Sequence, residues 1–118
     1  MDLVFGNSWL RVTVISLTLA GLIFTWANER KSVERANRLH RSGDFPKAAV
    51  VYQSRIDLDS LRLDLRYNLG TSLLELGSAG AEEELALGVE SNDDEVTKLA
   101  LYNLGVSRLL RAVSAEHV

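Results

Sequence analysis

Two histidines, a glutamate cluster, an acidic run and a repeated asparagine are the residues of this chain with a chemistry of their own. His40 and His117 stand 77 positions apart, so no local spacing lets them share a metal or divide acid and base roles. Glu82-Glu83-Glu84, with Glu90, falls at a helix start, where carboxylates offset the positive end of the helix dipole. Asn92-Asp93-Asp94-Glu95 lacks the alternating oxygens and the turn glycine of a calcium loop. It reads instead as a linker whose Asn92-Asp93 caps the following helix. There is no cysteine, which excludes disulfides and thiolate metal sites. The sequence also lacks a Gly-rich phosphate loop, a nucleophile elbow and paired catalytic carboxylates. These absences imply no catalytic residue, no cofactor or metal site and no small-molecule substrate. The chain does not read as an enzyme.

Asn68 and Asn103 point elsewhere, because both are embedded in the same phrase. Tyr67-Asn68-Leu69-Gly70-Thr71-Ser72-Leu73-Leu74 returns as Tyr102-Asn103-Leu104-Gly105-Val106-Ser107-Arg108-Leu109, with the glycines 35 positions apart. A helical phrase repeating at that interval marks stacked helix pairs. Such pairs bury their apolar faces only by stacking, and the stack presents a concave surface. Binding is therefore the function class the sequence favours. A weaker copy lies 34 positions before Gly70, at Ala36 in Val33-Glu34-Arg35-Ala36-Asn37-Arg38-Leu39. After it, Gly43 suits a helix stop, Asp44 a cap and Pro46 the first turn of the next helix. Ala48 and Tyr52, four apart, share one face of that helix. With one proline and few strand-like runs, the chain reads as all-α. Helices are expected over about 28–42, 45–57, 61–76, 80–90 and 95–113. Gly70 and Gly105 are expected where neighbouring helices approach most closely.

The residues Ala36, Gly43, Phe45, Ala48, Tyr52, Asn68, Leu69, Gly70, Gly77, Asn103, Leu104 and Gly105 together resemble the tetratricopeptide repeat family. The resemblance covers residues 29 to about 113 and implies an α-α superhelix of about two and a half repeats. Departures are the missing Asn-Leu-Gly phrase in the first copy, Ser60 where the family usually has proline, and Ala81 shifted by one position. The wording Leu65-Arg66-Tyr67-Asn68-Leu69-Gly70-Thr71 is similar to small repeats of bacterial aerotolerance-type operons that adjoin von Willebrand A domains. Some family members hold a peptide carboxylate with asparagines like Asn68 and Asn103. Here Leu99 and Asn103 occupy the stretch that usually supplies the basic residues, with Lys98 nearby, so the asparagines read as part of the repeat phrase.

Ahead of the repeats, residues 12–27 carry no charge. Those sixteen residues extend about 24 Å, and Trp9, Leu10 and a snorkelling Arg11 lengthen them to an adequate membrane span. Trp9 and Trp26 mark its two ends, with Arg30 and Lys31 just beyond, as expected at headgroup level. Phe24 and Trp26 are bulky for a cleavage site and only one arginine leads the segment, which favours an uncleaved anchor over a signal peptide. Thr13, Ser16 and Ala20, and again Thr18, Gly21 and Thr25, form small-residue stripes on which another helix could pack. The organisation expected is a short tail and anchor at 1–28, a repeat domain at 29–113 and a tail at 114–118. No Gly or Pro falls between Leu22 and Ser42, so the span is expected to run unbroken into the first repeat helix.

After residue 27 there are twelve Lys and Arg against fifteen Asp and Glu. That balance, with no aromatic-basic interleaving, gives no basis for nucleic-acid binding. Arg30, Lys31, Arg35, Arg38 and Arg41 follow the span while only Arg11 precedes it. The positive-inside rule then places the repeats in the cytoplasm of a single-pass inner-membrane protein. Those arginines also suit the solvated face of a repeat helix, and the aerotolerance-type resemblance would tolerate an extracytoplasmic domain.

The last expected helix carries Leu99, Leu101, Tyr102, Leu104, Val106, Leu109, Leu110 and Val113, more apolar positions than one buried stripe needs. Either the natural chain continues or a partner covers this end. The expected partner-binding residues are Val33, Asn37, Tyr67, Thr71, Tyr102 and Val106 on a concave face, with Leu109 and Leu110 on the uncovered end. Expected partners are proteins, in particular integral membrane subunits, together with membrane lipid. The reading is a non-catalytic membrane-anchored scaffold subunit. Its alternatives are a structural subunit inside a respiratory or photosynthetic complex, and a regulatory adaptor for a von Willebrand A partner.

Overall fold

The computed structural model describes residues 8–116, and among these residues it contains five α-helices and no strand. They are α1 (Ser8–Arg41), α2 (Phe45–Leu58), α3 (Leu63–Glu75), α4 (Ala81–Gly88) and α5 (Asp94–Glu116). Helix ends fall within a few residues of those expected, and α1 runs unbroken through residue 28, as the lack of Gly and Pro between Leu22 and Ser42 predicts. The chain divides into two compact units, Met1–Lys31 and Ser32–Val118, and α1 contributes to both.

In the first unit, α1 is the one described helix long and apolar enough to cross a membrane. Every side chain from Ser8 to Trp26 is exposed, including Trp9, Arg11, Ser16, Ala20, Gly21 and Thr25. A helical stretch whose apolar side chains are all exposed suits a lipid-like surround or a partner. Its threonines suit such a medium. The Thr13 hydroxyl donates to the Trp9 carbonyl at 2.9 Å, Thr18 to that of Ile15 at 2.8 Å and Thr25 to that of Leu22 at 2.9 Å. Polar groups satisfied inside the helix need nothing from the surroundings. The Arg30 guanidinium lies 5.6 Å from the Trp26 ring centroid, a cation–π contact between two of the expected interface residues. Lys31, the last residue of the unit, is exposed.

The second unit is built from two helix–turn–helix corners of the same construction. After α1, Gly43 takes φ +83°, its N–H reaching the His40 carbonyl at 3.0 Å and that of Asp44 reaching Leu39 at 2.9 Å. After α3, Gly77 takes φ +66°, with Gly77 bonded to Leu74 at 3.0 Å and Ser78 to Leu73 at 2.9 Å. This is the Schellman stop, and only glycine adopts its left-handed position without strain. Asp44 then caps α2 through the Lys47 N–H at 3.4 Å, with Pro46 in the first turn. Asp93 caps α5, accepting from the Glu95 N–H at 2.9 Å. At the start of α3, Arg62 forks onto Asp64 at 2.9 and 3.0 Å. Burial raises the Asp64 carboxyl, but the Arg62 hydrogen bond and charge outweigh it and hold the group below its ordinary value.

The core begins where α2 lays Ala48, Tyr52 and Ile56, each four apart, against Ala36 of α1 and Leu65 and Leu69 of α3. Val33, Leu39, Ala49, Val51 and Leu73 pack around this cluster. Helix α3 touches α2, α4 and α5, and α4 touches α5. The α3–α4 contact depends on Gly70. A Cβ there would stand 2.7 Å from Leu85 Cγ and 2.9 Å from the Leu85 backbone nitrogen. Gly88 returns the favour, lying so close that its Cβ would meet Tyr67 Cβ at 3.1 Å. Gly105 corrects the sequence expectation, since a Cβ on it would find nothing within 4 Å. The phrase around it is the same, but among the described residues α5 has no following helix to fill the place that α4 fills on α3.

Candidate interaction surface

Two surfaces of the second unit hold the residues singled out from the sequence. One is a notch of ≈ 160 Å³ lined by Asn37, His40 and Arg41 of α1, Tyr52 of α2, and Tyr67, Asn68 and Thr71 of α3. Its walls are fixed by polar bonds between helices. The Tyr52 hydroxyl donates to Asn37 Oδ1. His40 Nδ1 stands 2.9 Å from Oγ of the fully buried Ser72, joining α1 to α3, and the imidazole meets the Phe45 ring edge-on. Thr71 Oγ1 donates to the Tyr67 carbonyl at 2.9 Å and accepts from Asn103 Nδ2 at 3.1 Å. The repeated asparagines thus have different duties: Asn103 bridges α5 to α3, while Asn68 and Arg41 are both among the residues that line the notch. An amide and a cation can hold a carbonyl or carboxylate by hydrogen bonds. The hydroxyl that His40 meets, Ser72 Oγ, is fully buried and is not among the residues lining the notch. Among the described residues no group of three His, Asp or Glu is placed to hold a metal.

The second surface is the outward side of α5. Ala100 and Leu104 are buried against the unit. On the opposite side, Lys98, Leu101, Tyr102, Gly105, Leu109 and Ala112 recur at helical spacing, and all are exposed. Tyr102 is 71% exposed and Leu109 64%. Glu82 at the start of α4 reaches across to α5, its carboxylate taking Arg108 Nε at 3.1 Å and Arg111 Nη1 at 2.9 Å. A further pair, Arg66 Nη1 to Glu84 at 3.1 Å, ties α3 to α4. Compared with protein-family models, curated proteins and solved structures, the chain finds no match.

The eight residues expected to bind a partner fall in three places. Asn37, Tyr67 and Thr71 line the notch. Tyr102, Leu109 and Leu110 are exposed on α5, with Val106 half-buried on the same helix. Val33 leaves the set, because it packs against the core cluster of α1, α2 and α3. From the sequence, His40, Arg41 and Tyr52 have no place on a binding surface, and the Glu82 bridge does not show. Contacts that join residues 15 to 32 positions apart leave no local pattern, though His40 and Tyr52 share the first copy with Asn37. His117 lies outside the described residues.

Proposed function

We propose that the chain is a membrane-anchored, non-catalytic interaction subunit of the tetratricopeptide repeat type, held in a bacterial inner membrane by α1. It docks an integral membrane partner through its helical unit. The observation that carries this reading is α5, apolar on the face buried against the unit and again on the face turned away from it. A helix with one buried stripe needs only one apolar face, and a second one is the mark of an interaction surface. The two turns of identical construction 34 residues apart, at Gly43 and Gly77, support a stack of about two and a half repeats. The notch supplies a second, polar contact.

Changing Leu109 and Leu110 together to Asp should release the partner from chain extracted in mild detergent, read by mass spectrometry of what co-migrates, while α1 keeps the chain in the membrane fraction. If the doubly substituted chain retains its complex undiminished, association runs through α1, and the reading as a structural subunit of a large membrane complex replaces this one.

Orientation follows from charge: with Arg30, Lys31, Arg35, Arg38 and Arg41 after the span against Arg11 before it, the unit faces the cytoplasm. A reporter joined after Val118 that works only outside the cytoplasm should stay silent. A signal from it would place the unit on the other side.

A further inference from the structure

The face that α5 turns outward is a second copy of a face already occupied within the same chain. Tyr67, Gly70 and Leu74 of α3 return as Tyr102, Gly105 and Leu109 of α5. On α3 that face carries α4, which buries Ala81, Leu85 and Gly88. Leu85 fills the hollow at Gly70, and Gly88 lies against Tyr67. On α5 the hollow at Gly105 is open and Tyr102 is exposed.

We infer that this face of α5 seats a short amphipathic helix from another polypeptide, carrying the small–Leu–small stripe that α4 presents to α3. The inference rests on the interaction-subunit reading and adds the chemistry of the partner. Continuity with the α3–α4 interface supplies the argument. In stacked helix pairs each interface repeats its neighbour's, so the residues that select α4 on α3 select a like helix one repeat on. The copy also differs in one informative place. Arg66, which binds Glu84 of α4 at 3.1 Å, is replaced in α5 by exposed Leu101. A carboxylate opposite Leu101 would lose its hydration with no cation in return. The occupant therefore carries an aliphatic residue where α4 has Glu84. Its stripe reads small-x-x-aliphatic-Leu-x-x-small, from Ala81, Glu84, Leu85 and Gly88 as template. A branched or aromatic residue at either small position would be held off the α5 backbone.

The test uses the full chain in detergent, extended after Val118 by a flexible Gly-Ser linker of about ten residues, which reaches roughly 17 Å. The linker ends in a copy of residues 78–91 in which the position of Glu84 is Leu. The appended helix should raise the melting temperature by about 4 °C or more, and should raise it not at all when Gly105→Leu fills the hollow. Gly105→Leu without the appended helix should melt no lower than the unaltered chain, because its Cβ meets open space. No rise with Gly105 in place, or an equal rise with Gly105→Leu, overturns the seat.

Source is tested separately, on chain extracted from its own membranes. The retained partner should fall at least about ten-fold with Gly105→Leu, which at 1.4 kcal/mol per decade is a modest demand on one filled hollow. Undiminished retention overturns the seat while leaving the interaction subunit standing; retention of no partner by the unaltered chain overturns the interaction subunit itself. If the purified chain dimerises and Gly105→Leu dissolves the dimer, the occupant is a second copy and the assignment to another polypeptide fails.

Discussion

Gly70→Leu is expected to destabilise the helical unit by about 2–3 kcal/mol, or roughly 10 °C in its melting temperature. The cause is local and geometric. The first added carbon would already stand 2.7 Å from Leu85 Cγ and 2.9 Å from the Leu85 backbone nitrogen. The side chain of Leu85 has nowhere to retreat, being fully buried, and a backbone atom moves only if α4 moves with it. Replacing a mid-helix glycine gains up to about 1 kcal/mol of helix propensity, which the overlap outweighs. Circular dichroism melting of the full chain in detergent measures the difference. A melting temperature unchanged by Gly70→Leu would mean that α3 and α4 do not pack as described.

The other large effect centres on Tyr52, whose ring is 2% exposed and whose hydroxyl is bonded to Asn37. Tyr52→Ala empties the middle of the α1–α2–α3 core and is expected to cost about 3–5 kcal/mol, in the range of buried aromatic truncations. The hydroxyl adds a pH dependence. Burial raises the phenol from 10.0 to about 12, with the Arg41 charge pulling it partly back. The folded chain therefore binds the phenolic proton more tightly than the unfolded chain. Its contribution is complete below pH 10 and is lost as pH climbs towards about 12. Tyr52→Phe should remove that part of the alkaline loss while keeping the ring. Denaturant midpoints of the two chains compared below pH 10 and near pH 12 decide the matter. Parallel loss in both would show that the Tyr52 hydroxyl titrates as an exposed one.

What the sequence made legible was the set of features that act over a few residues. Gly43, Asp44 and Pro46 placed the first corner because a left-handed stop, a side-chain cap and a first-turn proline each have a fixed offset from a helix end. Asp93 capped α5 for the same reason. The period of 35 residues located Gly70 correctly and misplaced Gly105, because a repeat phrase encodes the hollow but not whether a helix fills it. Val33 was assigned to a groove by its position in the phrase, whereas the core behind α1 extends one turn further than that phrase suggested. The acidic start of α4 was read as an answer to the helix dipole; Glu82 also holds two arginines that lie 26 and 29 residues later. Polar links such as His40 to Ser72 depend on which helix neighbours which, and only the packed chain displays that.

The contact pattern of the second unit has a consequence for how it opens. Each helix is held by its near neighbours in the chain, and α3 is the most widely held, packed against α2, α4 and α5 and bonded to α1 through Ser72 and His40. Loss of structure therefore has an order. The last turns of α5, where every side chain from Arg108 to Glu116 is exposed, give up their amide protons to solvent first. Protection then deepens through α4 and is greatest in the backbone of α3 around Leu65 and Leu69, which exchange only when the whole unit comes apart. A helix settling on α5 would reach inward along the same gradient, slowing exchange at the frayed end before it changed anything at the centre.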